Sequence, residues 1–250
     1  MHCVRTTTIL PLLFNLPGEQ LMKIGFHDLD LPEGKIKYDD LRMKMLVEKC
    51  APQKVSPYYV EFIKGEFSES EAIVISKKSV LDLLINDIEK CESRAGSAGS
   101  GPEKDLAEKC LKLLEAELPI CDGIVDVNDL ATLRSLGLQS VKPVVVLDQQ
   151  KETTAVITLC LEKAGVIFFY TVGPKEVHAW PVHEGSDIVT CAGRIHTDLA
   201  RGFIKGDVAG FEDFLKCHNW NDCQRKGLVK VVDRDYIIKS GDIIEIRFNV

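Results

Sequence analysis

Apolar and polar positions follow three rhythms along the chain. Between residues 22 and 75, short apolar runs alternate with loops. Lys23–His27 predicts a buried strand, residues 28–37 with Pro32 and Gly34 a loop, and Tyr38–Cys50 a helix with Leu41, Met45 and Leu46 on its apolar face. Tyr58–Ile63 and Ala72–Ile75 are rich in branched and aromatic residues and predict two more strands. Three strands with a helix between the first two point to an α/β unit with a partly parallel sheet.

From residue 78 the period becomes helical. Val80, Leu84, Ile88 and Cys91 form one stripe, and Ala107, Leu111, Leu114 and Leu118 a second, with a Gly/Ser-rich turn at residues 95–102 between them. Two such helices predict an antiparallel hairpin whose stripes pack together. Asp126–Leu136 predicts a short helix stopped by Gly137, and the valine run of residues 143–147 a buried parallel strand. Thr153–Ala164 is helical, ended by Gly165, and Val166–Tyr170 is again a strand.

Beyond Thr171 the rhythm shortens. Turn residues recur at Gly173-Pro174, Glu184-Gly185, Gly193, Gly202 and Gly206, with strands predicted near Val177–Val182, Phe203–Val208 and Ile243–Phe248. In the last of these Ile244, Ile246 and Phe248 alternate with Glu245 and Arg247, a half-buried pattern. A small mixed sheet gripping a helix, the β-grasp, accounts for this region.

Composition narrows the function. The 250 residues carry a net charge of −7, but the imbalance sits early: residues 1–169 hold 20 Lys+Arg against 26 Asp+Glu, residues 170–250 hold 11 against 12. Nucleic acid would therefore meet a local patch in the C-terminal part, not the whole surface. Nine scattered cysteines without a CxxC pair read as reduced, buried thiols of a cytoplasmic protein. Cys191, Cys217, His218 and Cys223 are poorly spaced for zinc, so no metal is expected. No apolar run reaches membrane-spanning length, and residues 1–21 read as a disordered leader.

One stretch concentrates cationic chemistry. In Cys191–Gly206, Thr197 is a candidate N-cap and Gly202 a candidate left-handed stop for a single helical turn. That geometry sets Arg194, His196, Arg201 and Lys205 along a strip suited to phosphate or acidic partners, with Trp180 as a candidate stacking residue. The bland alternative is a capping histidine, a core tryptophan and solvated charges.

The blocks Phe168-Phe169-Tyr170-Thr171, Glu176-Val177-His178-Ala179-Trp180, Ile195-His196-Thr197-Asp198, Gly202-Phe203-Ile204-Lys205 and Gly241-Asp242-Ile243-Ile244 resemble, in order, the TGS domain of the YchF/Obg-like family of P-loop NTPases. Leu133–Leu138 and Lys142-Pro143-Val144 resemble that family's coiled insertion and the strand after it. Met22-Lys23-Ile24-Gly25 resembles its first strand, which should enter a Gly-x-x-x-x-Gly-Lys-Ser/Thr loop. Such a loop cradles phosphates on backbone amides and places a hydroxyl on Mg²⁺. Here Gly34-Lys35 remains, but Leu29 stands five positions before Gly34 and Ile36 replaces the hydroxyl. Lys64 stands where the metal-binding Asp belongs, and the base-recognising Asn expected near Gln149 is absent.

The resemblance implies an α/β fold: a reduced P-loop-NTPase-like parallel sheet over residues 22–77 and 138–165, a helical-hairpin insertion over 78–137, and a β-grasp (TGS) domain over 166–250. With the three motifs broken, the expectation is a non-catalytic pseudo-NTPase, without catalytic residues or cofactor. It would bind RNA, the ribosome or a protein partner through Trp180, Arg194, His196, Arg201 and Lys205, with the hairpin as a second contact surface. The alternative is a YchF-like GTP- or ATP-binding protein with weak or no hydrolysis, using Gly34 and Lys35.

Overall fold

The structure, a computed structural model, describes residues 21–97, 101–123 and 129–249; the expected leader and the start of the helix expected from Asp126 lie outside the described residues. Strands and helices follow in the order β1 (Met22–His27), β2 (Gly34–Lys37), α1 (Leu41–Cys50), β3 (Lys54–Ser56), β4 (Tyr59–Lys64), β5 (Ala72–Ser76), α2 (Val80–Ser97), α3 (Pro102–Glu115), α4 (Leu130–Ser135), β6 (Val144–Leu147) and α5 (Thr153–Lys163). The chain continues through β7 (Val166–Val172), β8 (Glu176–His183), α6 (Ile188–Ile195), α7 (Thr197–Arg201), β9 (Phe203–Ala209), α8 (Phe211–Leu215), α9 (Trp220–Arg225), β10 (Lys230–Val232) and β11 (Ile243–Phe248). Two compact units result. One takes residues 22–36 and 60–165, the other 37–59 and 166 onward.

The first unit is built on a sheet ordered β2-β4-β1-β5-β6, in which β4, β1, β5 and β6 run parallel. Every residue of β5 is buried, as a near-continuous branched strand covered on both faces should be. Ile73, Ile75 and Val144 pack with Leu83, Leu84, Cys91, Leu106, Cys110 and Leu114 of the α2–α3 hairpin. The hairpin stripe includes a carboxylate. Asp87 is fully buried, and it accepts hydrogen bonds from the backbone N–H groups of Gln139 (2.9 Å) and Ser140 (2.7 Å), which satisfies it and ties α2 to the approach of β6. Helix α5 packs on β5 and β6 through a face that buries Val156, Ile157 and Cys160, and Gly165 ends it at φ 65°.

The link from β4 to β5 is short for parallel strands, which usually need a crossover of about a dozen residues or more. Lys64 pairs with Phe26 and Ala72 with Ile24, so the chain has to retreat only two residue levels while crossing β1. Residues 65–71 suffice.

The second unit holds a sheet ordered β10-β9-β11-β7-β8-β3, antiparallel at β9–β10, β9–β11 and β7–β8 and parallel at β7–β11 and β3–β8. Helix α6, capped by Asp187 whose Oδ1 accepts from the Thr190 N–H (2.7 Å), drives Ile188, Cys191 and Ala192 into Phe169, Val182, Phe203, Val208 and Ile244. On Tyr170 and Phe168 the segment 37–59 adds its own cover. Tyr38 and Tyr58 pack on Phe168 at 5.7 and 5.2 Å, the Tyr170 hydroxyl donates to Asp40, and Lys54–Ser56 pairs along β8.

Three expectations change. Residues 34–37 form a strand, not the end of a loop, because Gly34 at φ 90° turns the chain in and Gly-Lys-Ile-Lys then alternates. Helix α1 begins at Leu41, capped by Asp40, and buries Met43 and Leu46, leaving Leu41 and Met45 exposed. The same helix joins the second unit rather than standing between strands of the first. The eight described cysteines are free thiols, and all but Cys50 are buried.

Candidate functional site

An open α/β sheet takes ligands in the crevice beyond the carboxyl ends of its strands, at the point where strand order reverses. In the first unit β4 lies on one side of β1 and β5 on the other, so the reversal falls between β1 and β5. Loops from three strands meet there. Asp28 follows β1 at φ 53°, and its carboxylate accepts hydrogen bonds from the hydroxyls of Ser76 (2.7 Å) at the end of β5 and Ser79 (2.9 Å) just before α2. The Ser76 and then the Ser79 hydrogen bond hold this carboxyl below the usual carboxylate range. Gln150, beyond β6, clamps the backbone of Asp30: its Nε2 donates to the carbonyl (2.7 Å) and its Oε1 accepts from the N–H (3.2 Å). Lys77 pairs with Asp148 at 3.1 Å, an exposed contact worth little by itself.

The β4–β5 link passes directly over β1. A β-carbon on Gly25 would lie 2.6 Å from the carbonyl oxygen of Glu66 and 3.0 Å from the side chains of Phe67 and Ser70. The Lys142 ammonium holds this link by donating to the carbonyls of Phe67 and, at 3.0 Å, Ser68. Burial pushes Lys142 below the usual lysine range.

The crevice therefore offers hydroxyls, an amide and lysines, the donor types a polyphosphate requires, beside two carboxylates that can only accept. Among the described residues no three His, Cys, Asp or Glu side chains converge on one point. A Mg²⁺ ion held chiefly by phosphate oxygens and water needs only one or two carboxylates, and the crevice carries Asp28 and Asp148. Gly34 and Lys35 are not brought there. They begin β2 at the sheet's outer edge, with β4 between them and β1. Sequence reasoning missed Asp28, Ser76, Ser79 and Gln150; their one signal was position, each lying at or just beyond the end of an apolar run.

In the second unit the cationic strip is neutralised locally. Arg194 stands in the last turn of α6, and His196 both ends that helix and caps α7, its Nδ1 accepting from the Asp198 N–H at 3.1 Å. Thr197 is thus the first helical residue and not the cap. Arg201, 71% exposed, pairs with Asp198 at 2.9 Å, and Lys205 pairs with Asp233. Gly202 is not left-handed, at φ −94°. Trp180 donates from Nε1 to the Thr171 hydroxyl (3.0 Å), and the His178 ring lies flat against it at 3.6 Å and 14°. His178, which sequence reasoning passed over, is the ring stacked on the tryptophan. A largely apolar cavity of about 790 Å³ nearby is lined by Ile195, Leu199, Phe214, Trp220 and Phe248 among others.

Residues 166–249 match the family model YchF-GTPase_C, described as a protein of unknown function (DUF933). The "Ribosome-binding ATPase YchF" of Escherichia coli O157:H7 is 24% identical, covering 93% of this chain and 93% of the relative. The chain is thus similar to YchF/Obg-like proteins over nearly its whole length, with the family model confined to its last third. The human "Obg-like ATPase 1" is 40% identical over 82 residues, 33% of this chain and 21% of that protein. A solved Schizosaccharomyces pombe YchF GTPase superposes with a TM-score of 0.74 at 16% identity, over 94% of this chain and 99% of that one, which shows the common fold. The Escherichia coli alignment spans 338 positions against 250 residues here, so at least 88 of its positions have no counterpart in this chain.

These relatives correct one expectation. Three broken phosphate and metal motifs predict a non-enzyme, yet the proteins this chain resembles are named ATPases, which points to an NTPase. A phosphate loop at Gly34-Lys35 would have to follow β1 directly at the crevice. The structure puts that dipeptide in an edge strand instead.

Proposed function

We propose that this chain is a YchF-type nucleotide-binding protein of the ATPase lineage that works in association with the ribosome. The observation carrying this is the 24% identity sustained over 93% of the chain to a ribosome-binding ATPase. The nucleotide's phosphates would sit at the β1/β5 crevice, where Ser76, Ser79, Lys77 and Lys78 supply donors. Residues 166–250 of the second unit are read as a β-grasp (TGS) domain: the first and last strands of that stretch, β7 and β11, run parallel side by side, and α6 packs against the sheet. Ribosome contact would use Trp180, Arg194, His196, Arg201 and Lys205, with the α2–α3 hairpin as a second surface. Exposed ion pairs such as Arg201–Asp198 contribute at most about 1 kcal/mol, so the arginine is readily re-paired to phosphate. Such work is cytoplasmic, and no helix among the described residues is long and apolar enough to cross a membrane.

The deciding experiment is co-sedimentation with ribosomal particles across a salt series, with ATP and GTP turnover followed in the same samples. Association that weakens with salt, together with nucleotide turnover above a no-protein control, is expected. A chain that stays in the supernatant at low salt and turns over neither nucleotide would overturn the proposal.

A further inference from the structure

Asp28 stands at the entrance of the crevice that a nucleotide would use, and nothing in the fold requires a carboxylate there for packing. It is an exposed side chain on a left-handed residue, φ 53°, a conformation that glycine would adopt at less strain. What fixes it is the pair of hydroxyl hydrogen bonds from Ser76 (2.7 Å) and Ser79 (2.9 Å). Those hydroxyls belong to the end of β5 and the approach to α2, the two places from which donors would reach a phosphate at a β1/β5 switch point.

We infer that Asp28 is an intramolecular plug, an autoinhibitory carboxylate that occupies the phosphate position of the nucleotide crevice and must swing out before a nucleotide binds. The inference rests on the proposed nucleotide site and adds to it a named gate. Two effects act together. Each hydroxyl has one proton to donate, so Ser76 and Ser79 cannot serve phosphate oxygens while they serve Asp28. A fixed negative charge also repels the several negative charges of a triphosphate, strongly at contact distance. The neighbouring contacts keep the loop in place. Gln150 clamps Asp30 at 2.7 and 3.2 Å, so the loop after β1 is held to the loop after β6 while only the Asp28 side chain has to move. The cationic side chains beside it, Lys77 and Lys78, are exposed at the same edge, with Lys77 on Asp148 at 3.1 Å.

The test titrates fluorescent ATP and GTP analogues against the full chain and Asp28→Asn, each with Mg²⁺ and with EDTA. Asp28→Gly, which suits the local backbone, serves as a second variant, and melting curves confirm that both remain folded. The expected result is binding at least tenfold tighter in both variants, in EDTA as in Mg²⁺. Binding only in the variants, with none in the natural chain, supports the plug equally. If the natural chain binds and the variants bind no better, the plug is overturned while the nucleotide site survives. Binding that weakens in the variants only when Mg²⁺ is present overturns it in a different way, making Asp28 a cation ligand. No binding by any of the three proteins overturns both the site and the plug.

Discussion

A β-carbon on Gly202 would stand 2.3 Å from the carbonyl oxygen of Asn249, whose own N–H donates to the Gly202 carbonyl at 2.9 Å. The close approach fastens the end of the chain to the turn after α7, and backbone cannot yield as a side chain would. Gly202→Ala is expected to lower unfolding stability by about 2 kcal/mol, within the range for overpacking. Urea denaturation of the full chain measures it. Because φ here is −94°, a loss as small as a few tenths of a kcal/mol would mean that the two strands of chain part easily.

Much of the fold was legible because apolar period reports burial directly. The runs that became β1, β5, β6, β7 and β11 and the stripes of α2 and α3 stood out for that reason. Short edge strands were not: Gly34–Lys37 and Lys54–Ser56 bury little, so nothing apolar repeats in them. Glycine's two uses, positive φ and close approach, look alike in a sequence, and at Gly202 the structure shows the second. The crevice was missed for a related reason. Asp28 lies 48 and 51 positions from Ser76 and Ser79 in sequence, and only the parallel β1–β5 pairing brings them together.

Arg201 separates a binding strip from solvated surface. If it meets ribosomal phosphate, Arg201→Ala should weaken association at low salt and reduce the slope of log affinity against log salt by about one. Its exposed pairing with Asp198 predicts a stability change within about 0.5 kcal/mol. Co-sedimentation and a melting curve on the same variant check both.

His178 should titrate below the ordinary histidine value of 6.5, because burial penalises its charged form more than Glu176 favours it. The unfolded chain then takes up this proton at higher pH than the folded one. The residue's stabilising contribution is present above pH 6.5 and is lost as pH falls through the lower folded value. Fluorescence of Trp180, followed in a Trp220→Phe background, should report the protonation through the ring stacked on it. A midpoint at or above 6.5 would contradict the burial argument.

The segment 37–59 should matter to the second unit out of proportion to its length. A fragment of residues 166–250 loses Tyr38 and Tyr58 from Phe168, the Asp40 partner of Tyr170 and the strand beside β8. It should melt well below the same fragment mixed with a saturating 37–59 peptide, since a ligand of the native state stabilises it by mass action. Circular dichroism melts with and without peptide decide this; equal melting temperatures would show the segment to be dispensable.

The thiols give the molecule built-in reporters of its own breathing. Cys91, Cys110, Cys121 and Cys160 lie buried in the first unit, and Cys191, Cys217 and Cys223 in the second. Burial pushes Cys121, Cys191 and Cys223 up to about 12, so in the folded chain these three present almost no thiolate to an alkylating reagent at neutral pH. An alkyl mass on one of these three therefore dates an opening event around it. Because the labels fall on different peptides, one mass-spectrometric time course would clock the two halves of the chain separately, without any engineered probe.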